Sequence, residues 1–177
     1  MILGEGVRLR APERSDLLRF VEWLNDPEVR DGLLLFKPIS LVGEEKWFED
    51  MLKRPPEEHP LVIEVSREGE WIAVGNCGVH RIDWRSRAAE LGIFIGEKSY
   101  WNQGIGTRVM GLLLKYGFET LNLNRIFLEV FEDNKRAIRA YEKAGFVHEG
   151  RKRQAIYKGG RYKDILLMSV LRSEWDQ

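Results

Sequence analysis

A turn with two closely spaced glycines has the composition of a phosphate-binding site. Gly104 and Gly106 have no Cβ atoms, so the backbone can turn tightly there and approach a ligand. A helix is predicted to follow, and its first N–H groups have no partner within the helix and carry the positive end of its dipole. These features favour a diphosphate held by backbone amides. The pattern is equally typical of an ordinary turn.

Two other phosphate-binding motifs do not fit this turn. No Lys-Ser or Lys-Thr follows the glycines, which excludes the P-loop of nucleoside-triphosphate enzymes. A dinucleotide-binding fingerprint would require a third glycine near Val109 and a strand that ends at the first glycine. The strand predicted upstream ends near Ile95 instead.

Tyr141 is a candidate proton donor on a predicted helix. A phenol with a pKa near ~10 keeps its proton at neutral pH and can give it to a more acidic leaving group. Ile138, Tyr141 and Ala144 share one helix face, so a packed aromatic residue is the alternative. The residues alone favour the packed aromatic.

Glu129 is a candidate base on a predicted strand. Period-two alternation places it on the same face as Phe127 and Phe131. A carboxylate between two aromatic rings loses solvation, which would raise its pKa and improve it as a base. A structural ion pair with an Arg or Lys of a neighbouring strand is an equally good explanation.

The elements that position these residues follow from hydrophobic periodicity, capping residues and turns. Strands are predicted over Gly6–Arg10, Leu61–Ser66, Glu70–Asp83, Glu90–Ile95, Arg125–Phe131, Val147–Ile156 and Arg161–Val170. Helices are predicted over Pro12–Leu24, Gly43–Lys53, Thr107–Leu121 and Asn134–Ala144. This mixed order predicts a sheet covered by helices, of the α/β or α+β class.

Composition limits the classes of function. The 177 residues are 44% hydrophobic and 32% charged, which predicts one globular domain over residues 1–177. Lys+Arg and Asp+Glu are both 28, so no net charge draws the chain to nucleic acid or to a membrane. With Cys77 as the single cysteine, neither an internal disulfide nor a zinc site is expected. Without a secretory signal or an apolar run of ~20 residues, a cytoplasmic location is expected.

Four segments together carry a family resemblance. They are Leu91-Gly92-Ile93-Phe94-Ile95, Tyr100-Trp101-Asn102-Gln103-Gly104-Ile105-Gly106-Thr107, Leu128-Glu129-Val130-Phe131-Glu132-Asp133-Asn134 and Ala137-Ile138-Arg139-Ala140-Tyr141-Glu142-Lys143-Ala144-Gly145-Phe146. The chain resembles the GCN5-related N-acetyltransferases (GNAT), above all their RimJ/RimL branch. The resemblance implies a mixed, mainly antiparallel twisted sheet of about seven strands flanked by about four helices. The strands Glu90–Ile95 and Arg125–Phe131 should splay apart.

The resemblance also implies acetyl-CoA as co-substrate, with no metal. Backbone groups of Phe94 and Ile95 would pair with the pantetheine arm, and Asn134, which is also a good helix N-cap, would touch it. The pyrophosphate would lie on Asn102, Gln103, Gly104, Ile105, Gly106 and Thr107. Tyr141 would protonate the departing thiolate.

Glu129 matches the position of the catalytic glutamate in the ribosomal N-acetyltransferase branch. Glu90 is the second candidate base and His80 the third, although a lone histidine on a strand is more often structural.

The expected reaction is acetylation of a protein N-terminal amine. A small amine, such as a polyamine or an aminoglycoside, is the close alternative, and a non-catalytic acyl-CoA sensor is a third possibility. We expect the first two helices and the final hairpin to build the acceptor side of the site. A homodimer through the C-terminal strands is the family-level expectation.

Overall fold

An eight-stranded sheet forms the framework of the protein. The computed structural model describes residues 1–175, and the strands lie in the order β1-β2-β3-β4-β5-β6-β8-β7. They are β1 (Ile2–Gly4), β2 (Val7–Arg10), β3 (Leu61–Arg67), β4 (Glu70–Asp83), β5 (Ala88–Ile95), β6 (Arg125–Phe131), β7 (Val147–Lys158) and β8 (Arg161–Leu171). Every neighbouring pair is antiparallel except β5 with β6. The predicted mixed, mainly antiparallel sheet is confirmed, with the short β1 as one strand more than expected.

Six α-helices flank the sheet within residues 1–175. They are α1 (Leu17–Asn25), α2 (Pro27–Asp31), α3 (Leu41–Met51), α4 (Ile105–Lys115), α5 (Lys135–Lys143) and α6 (Arg172–Trp175). None of these helices is long and apolar enough to cross a membrane.

Three helix predictions need correction. The chain before Leu17 forms only a single 3-10 turn at Arg14–Asp16, so α1 begins later than predicted. The segment that was expected to end the first helix also begins α2, because the Asp26 side chain accepts hydrogen bonds from the first N–H groups and Pro27 occupies the first helical position. The helix predicted to reach Leu121 changes to a π-helical turn at Tyr116–Thr120.

The two faces of the sheet are buried by different helices. Alternate residues of β6, Ile126, Leu128 and Val130, belong to a large core cluster that includes Val109 and Leu113 of α4. The opposite face carries a smaller cluster of α1 and α3 side chains around Val62, namely Leu17, Phe20, Trp23, Phe48 and Met51. Period-two alternation thus leaves Phe127, Glu129 and Phe131 on the face away from α4.

β5 and β6 pair over only three residues each and then separate. The parallel register runs from Ala88–Arg125 to Glu90–Phe127 and stops there. Beyond it β5 remains paired with β4, and β6 remains paired with β8 as far as Phe131. The predicted splay is confirmed, and it opens a wedge between two strands that are each held on the outer side.

Candidate active site

The wedge between β5 and β6 is part of a cleft of about 530 Å³. The turn before α4, one face of α5 and the segment after α2 complete its walls. Eleven of the predicted site residues line it: Glu90, Phe94, Ile95, Asn102, Gly104, Ile105, Gly106, Thr107, Glu129, Asn134 and Tyr141. Gln103 does not, since its side-chain amide donates to the carbonyl of Ser99 at 2.6 Å.

The glycine turn has a left-handed backbone at two positions. Asn102 has φ +61° and Gly104, the N-cap of α4, has φ +74°. Asparagine tolerates this region better than most residues, and glycine adopts it without a steric penalty. The helix begins at Ile105, so the N–H groups of Ile105, Gly106 and Thr107 have no intrahelical partner where they border the cleft. The geometry is that of an anion site.

Three cations of α5 border the same cleft. Arg136, Arg139 and Lys143 all line it. The Arg136 guanidinium lies 3.5 Å from the centre of the Trp101 ring, a cation–π contact that fixes it beside the turn. Desolvation by burial lowers the pKa of Arg136. The sequence analysis missed these residues, although their spacing of three and four places them on one helix face.

The end of β5 is tied to the glycine turn. The Trp101 indole Nε1 donates a hydrogen bond of 2.8 Å to the carbonyl of Ile95. One acceptor position of that carbonyl is therefore occupied within the protein, and the other is open to a ligand.

Tyr141 is both a packed aromatic and a cleft residue. Its side chain is buried against Phe146, with ring centres 6.0 Å apart. Burial raises the pKa of Tyr141 to about 12. The phenol therefore keeps its proton at physiological pH, as a proton donor must.

Glu129 lines the cleft and keeps part of its side chain exposed to solvent. Its side chain is 25% exposed, and Lys152 Nζ lies 2.5 Å from its Oε1. Lys152 belongs to β7 and reaches across β8. The ion pair considered as the alternative is thus present, and Glu129 is a paired carboxylate at the edge of the cleft.

Glu90 is the more deeply placed carboxylate. Its side chain is 13% exposed, and Arg81 Nη2 lies 2.5 Å from Oε2 without hydrogen-bond geometry. Among the described residues, no group makes a hydrogen bond to this buried oxygen. Burial raises the pKa of the Glu90 carboxyl, and the nearby negative charge of Glu129 adds to the increase, whereas Arg81 and Lys152 oppose it. A carboxylate with a raised pKa is a better base.

Asn134 caps α5 and contacts the opposite wall of the cleft. Its Oδ1 accepts from the N–H of Ala137 at 3.2 Å. Its Nδ2 lies so close to Gly32 that a Cβ atom there would be 2.8 Å away. Both the N-cap and the cleft position predicted for Asn134 are therefore observed.

His80 is paired with Glu90 in register, on the adjacent strand β4. Its ring lies over Gly92, where a Cβ atom would come within 2.9 Å of Nε2. It does not line the cleft. Burial lowers the pKa of His80, and its position is that of a structural residue beside the site.

The helices predicted to build the acceptor side do not line the cleft. Among residues 1–175, no side chain of α1 or α3 lines the cleft. The wall consists instead of Val29 of α2 and the following Gly32, Leu33 and Leu34, with Ile165 of the final hairpin. No cluster of potential metal ligands is found in this part of the chain.

Comparisons with known proteins agree with this geometry. Residues 7–147 match the model of the family described as "Acetyltransferase (GNAT) domain". The spermidine N(1)-acetyltransferase of Vibrio cholerae is 29% identical over 173 residues, covering 98% of this chain and 97% of that protein. A Bacillus subtilis protein named "Putative ribosomal N-acetyltransferase YdaF" is 27% identical over 98% of this chain and 96% of its own.

The fold comparison points to the same group of proteins. The crystal structure of spermidine N-acetyltransferase from Vibrio cholerae in complex with CoA and spermine superposes with a TM-score of 0.89 at 26% identity. The match covers 98% of this chain and all of that chain.

We expect Glu90→Gln to stabilise the protein, more strongly at pH 7.5 than at pH 4. Because the pKa of Glu90 is raised on folding, the folded state binds more protons than the unfolded state, and this carboxyl makes stability fall as pH rises. The penalty is absent below the ordinary glutamate pKa of about 4.3. The partner Arg81 is 75% exposed, so solvent screens the lost ion pair.

Thermal unfolding at both pH values measures this effect. Glu45→Gln, at an exposed position of α3, is the matched control and should show no such pH-dependent difference. A Glu90→Gln variant that is less stable than the wild type at pH 7.5 would contradict the expectation.

Proposed function

Because the chain belongs to the GNAT acetyltransferase family, it is an acetyl-CoA-dependent N-acetyltransferase, and we propose that its acceptor is a small polycationic amine of the polyamine class. The observation that carries the proposal is the pair of carboxylates, Glu90 and Glu129, in a cleft that the apolar side chains of Leu33 and Leu34 also line. Carboxylates attract ammonium groups, and an apolar wall suits the methylene chain between them. The similarity in sequence and in fold to spermidine acetyltransferase of Vibrio cholerae supports the same acceptor class.

The cleft can bind the two substrates at opposite ends. We place the acetyl-CoA phosphates at the start of α4, where unpaired N–H groups and the cations Arg136, Arg139 and Lys143 converge. The pantetheine arm of acetyl-CoA would then follow the free edge of β5 past Phe94, towards the carboxylates of Glu90 and Glu129. The thioester would arrive beside Tyr141, which lines the cleft from α5.

Proton transfer follows from this arrangement. An acceptor ammonium gives one proton to the Glu90 carboxylate, and the neutral amine attacks the thioester carbonyl. The tetrahedral intermediate still carries one nitrogen proton too many, and this proton passes to solvent as the intermediate collapses. The C–S bond breaks, and Tyr141 gives its proton to the thiolate. Solvent then takes the proton from Glu90 and returns one to Tyr141. We assign the base role to Glu90 over Glu129 because Glu90 is the less exposed of the two and its Oε2 has no hydrogen-bond partner among the described residues, whereas Glu129 accepts a hydrogen bond from Lys152.

An N-terminal amine, the acceptor expected from the sequence, is the second candidate. The Bacillus subtilis relative with a ribosomal name supports it. A peptide N-terminus supplies one ammonium group, whereas the cleft offers two carboxylates. The RimJ/RimL branch, the homodimer and the cytoplasmic location stay predictions.

An acceptor panel tests the proposed substrate class. We expect kcat/KM for spermidine or spermine to exceed that for propylamine by about 100-fold or more, which corresponds to roughly 2.7 kcal/mol from the second ammonium and the longer chain. CoA thiol release is the measurement, and peptides with free N-termini form the competing arm. Faster turnover of peptides than of polyamines would overturn the polyamine proposal in favour of the N-terminal amine. Acetyl-CoA binding without turnover on any amine would indicate a sensor.

We predict that Tyr141→Phe lowers kcat about tenfold or more, because general-acid catalysis typically contributes 10²–10⁴-fold. The acetyl-CoA dissociation constant should stay within about twofold, since the ring and its packing against Phe146 are retained. Tyr157→Phe, at an exposed position of β7, is the control. Unchanged kcat in Tyr141→Phe would remove this residue from the chemistry.

We predict that Gly106→Glu abolishes acetyl-CoA binding but permits folding. A Cβ atom at Gly106 would meet only the Ala140 side chain, at an ordinary 3.6 Å. The new carboxylate would lie at the helix start that we assign to the phosphates, where its charge repels them. Calorimetric titration with acetyl-CoA is the measurement. Gly111→Glu, in an open position of the same helix, is the matched control. Retained affinity in Gly106→Glu would refute the phosphate site.

A further inference from the structure

The side-chain amino group of one lysine donates hydrogen bonds to three main-chain carbonyls next to or within the cleft wall Gly32–Leu34. Lys158 Nζ, at the end of β7, donates to the carbonyls of Arg30, Asp31 and Leu33, with distances of 3.3 Å to Asp31 and 2.5 Å to Leu33. These carbonyls belong to the last turn of α2 and the segment after it. Lys158 and these carbonyls are more than a hundred residues apart in the sequence.

The segment held by Lys158 has little core packing of its own. Leu34 is 56% exposed, and neither Leu33 nor Leu34 belongs to a buried core cluster. The far end of the segment is held separately, by two hydrogen bonds between the Asn25 side chain and the backbone of Ile39, at 2.7 and 2.9 Å. The wall Gly32–Leu34 is therefore positioned by polar contacts at its ends rather than by apolar burial.

A second lysine extends this connection to the other side of the cleft. Lys163, whose side chain is 5% exposed, lies 3.4 Å from Asp31 and 2.9 Å from Asp133. Asp133 precedes the cleft residue Asn134 in the chain. Both ammonium groups also face the ring of Phe131, another cleft residue, at 5.6 Å for Lys158 and 5.4 Å for Lys163. The final hairpin thus connects α2 to the end of β6.

We infer that Lys158 is a positioning residue for the amine acceptor. It holds Leu33 and Leu34 at a set distance from Glu90 and Glu129, and so fixes the width of the channel in which the acceptor chain would lie. This inference rests on the proposed polyamine function for its kinetic consequence. The hydrogen bonds and the ring contact of Lys158 go to Arg30, Asp31, Leu33 and Phe131 rather than to the turn before α4 or the cations of α5, so we expect acetyl-CoA binding to depend little on it.

Lys158→Met tests the inference, because methionine keeps most of the apolar length and removes the ammonium group. We expect the KM for spermidine to rise about tenfold or more, in line with the large cost of small misplacements of a substrate. The acetyl-CoA dissociation constant should stay within about twofold. Lys158→Arg, which keeps the donors, should recover part of the acceptor affinity. Lys115→Met, at an exposed position of α4, is the control.

Hydrogen exchange of the folded protein provides a readout that does not need an acceptor. Amides of residues 32–36 should exchange faster in Lys158→Met than in the wild type, whereas those of α4 should be unchanged. General loss of stability would accelerate both regions and would overturn the positioning role, as would unchanged exchange at residues 32–36. If the wild type acetylates spermidine and the KM for spermidine is unchanged in Lys158→Met, the positioning inference fails while the proposed function stands. If the wild type acetylates no polyamine, the proposed function fails, and exchange still decides whether Lys158 positions the wall.

Discussion

The incomplete pairing of β5 with β6 is the constraint on which the site depends. Two adjacent strands of a buried sheet normally satisfy each other's backbone groups along their length, and a buried group without a partner costs about 1–3 kcal/mol. Here the pairing ends at Glu90–Phe127, and the two strands stay in place because β4 and β8 hold their outer edges. Gly75 allows β4 to remain close at the far end, since a Cβ atom there would lie 2.2 Å from the carbonyl oxygen of Phe94. The free inner edge is then available to a ligand with its own amide groups, as the arm of acetyl-CoA has.

Opposite charges are separated along the cleft of a chain whose formal net charge is zero. Cations and a helix start lie at the end near the glycine turn, and the two carboxylates lie where the strands meet. An anionic cofactor and a cationic acceptor would each find a complementary end, and each would be repelled from the other end. The overall composition conceals this arrangement because it depends on where the strands and helices bring the residues.

Local patterns in the sequence were sufficient for the sheet and the glycine turn, and the resemblance carried by four segments was sufficient for the acetyltransferase family. The alternation of β6 predicted that Phe127, Glu129 and Phe131 share one face, and the family resemblance implied that Asn134 and Tyr141 lie at the cofactor site; both line the cleft. The helix α2 was missed because five residues are too few to show periodicity, and Asp26-Pro27 was interpreted only as the end of α1. The pairs Glu129–Lys152 and Asp31–Lys163 join distant segments, and no local pattern specifies them. The cleft wall at Gly32–Leu34 was not predicted for the same reason.

The hydrogen bond from the Trp101 indole to the Ile95 carbonyl has a consequence for acyl-chain length. It ties the glycine turn to the free edge of β5, and so helps to set the interval from the helix start to the point where the strands meet. A pantetheine arm anchored at one end of that interval would deliver its sulfur to a set depth beside Tyr141. The protein would thus select acyl groups by length, because any acyl group longer than acetyl would have to extend into the space that the acceptor needs.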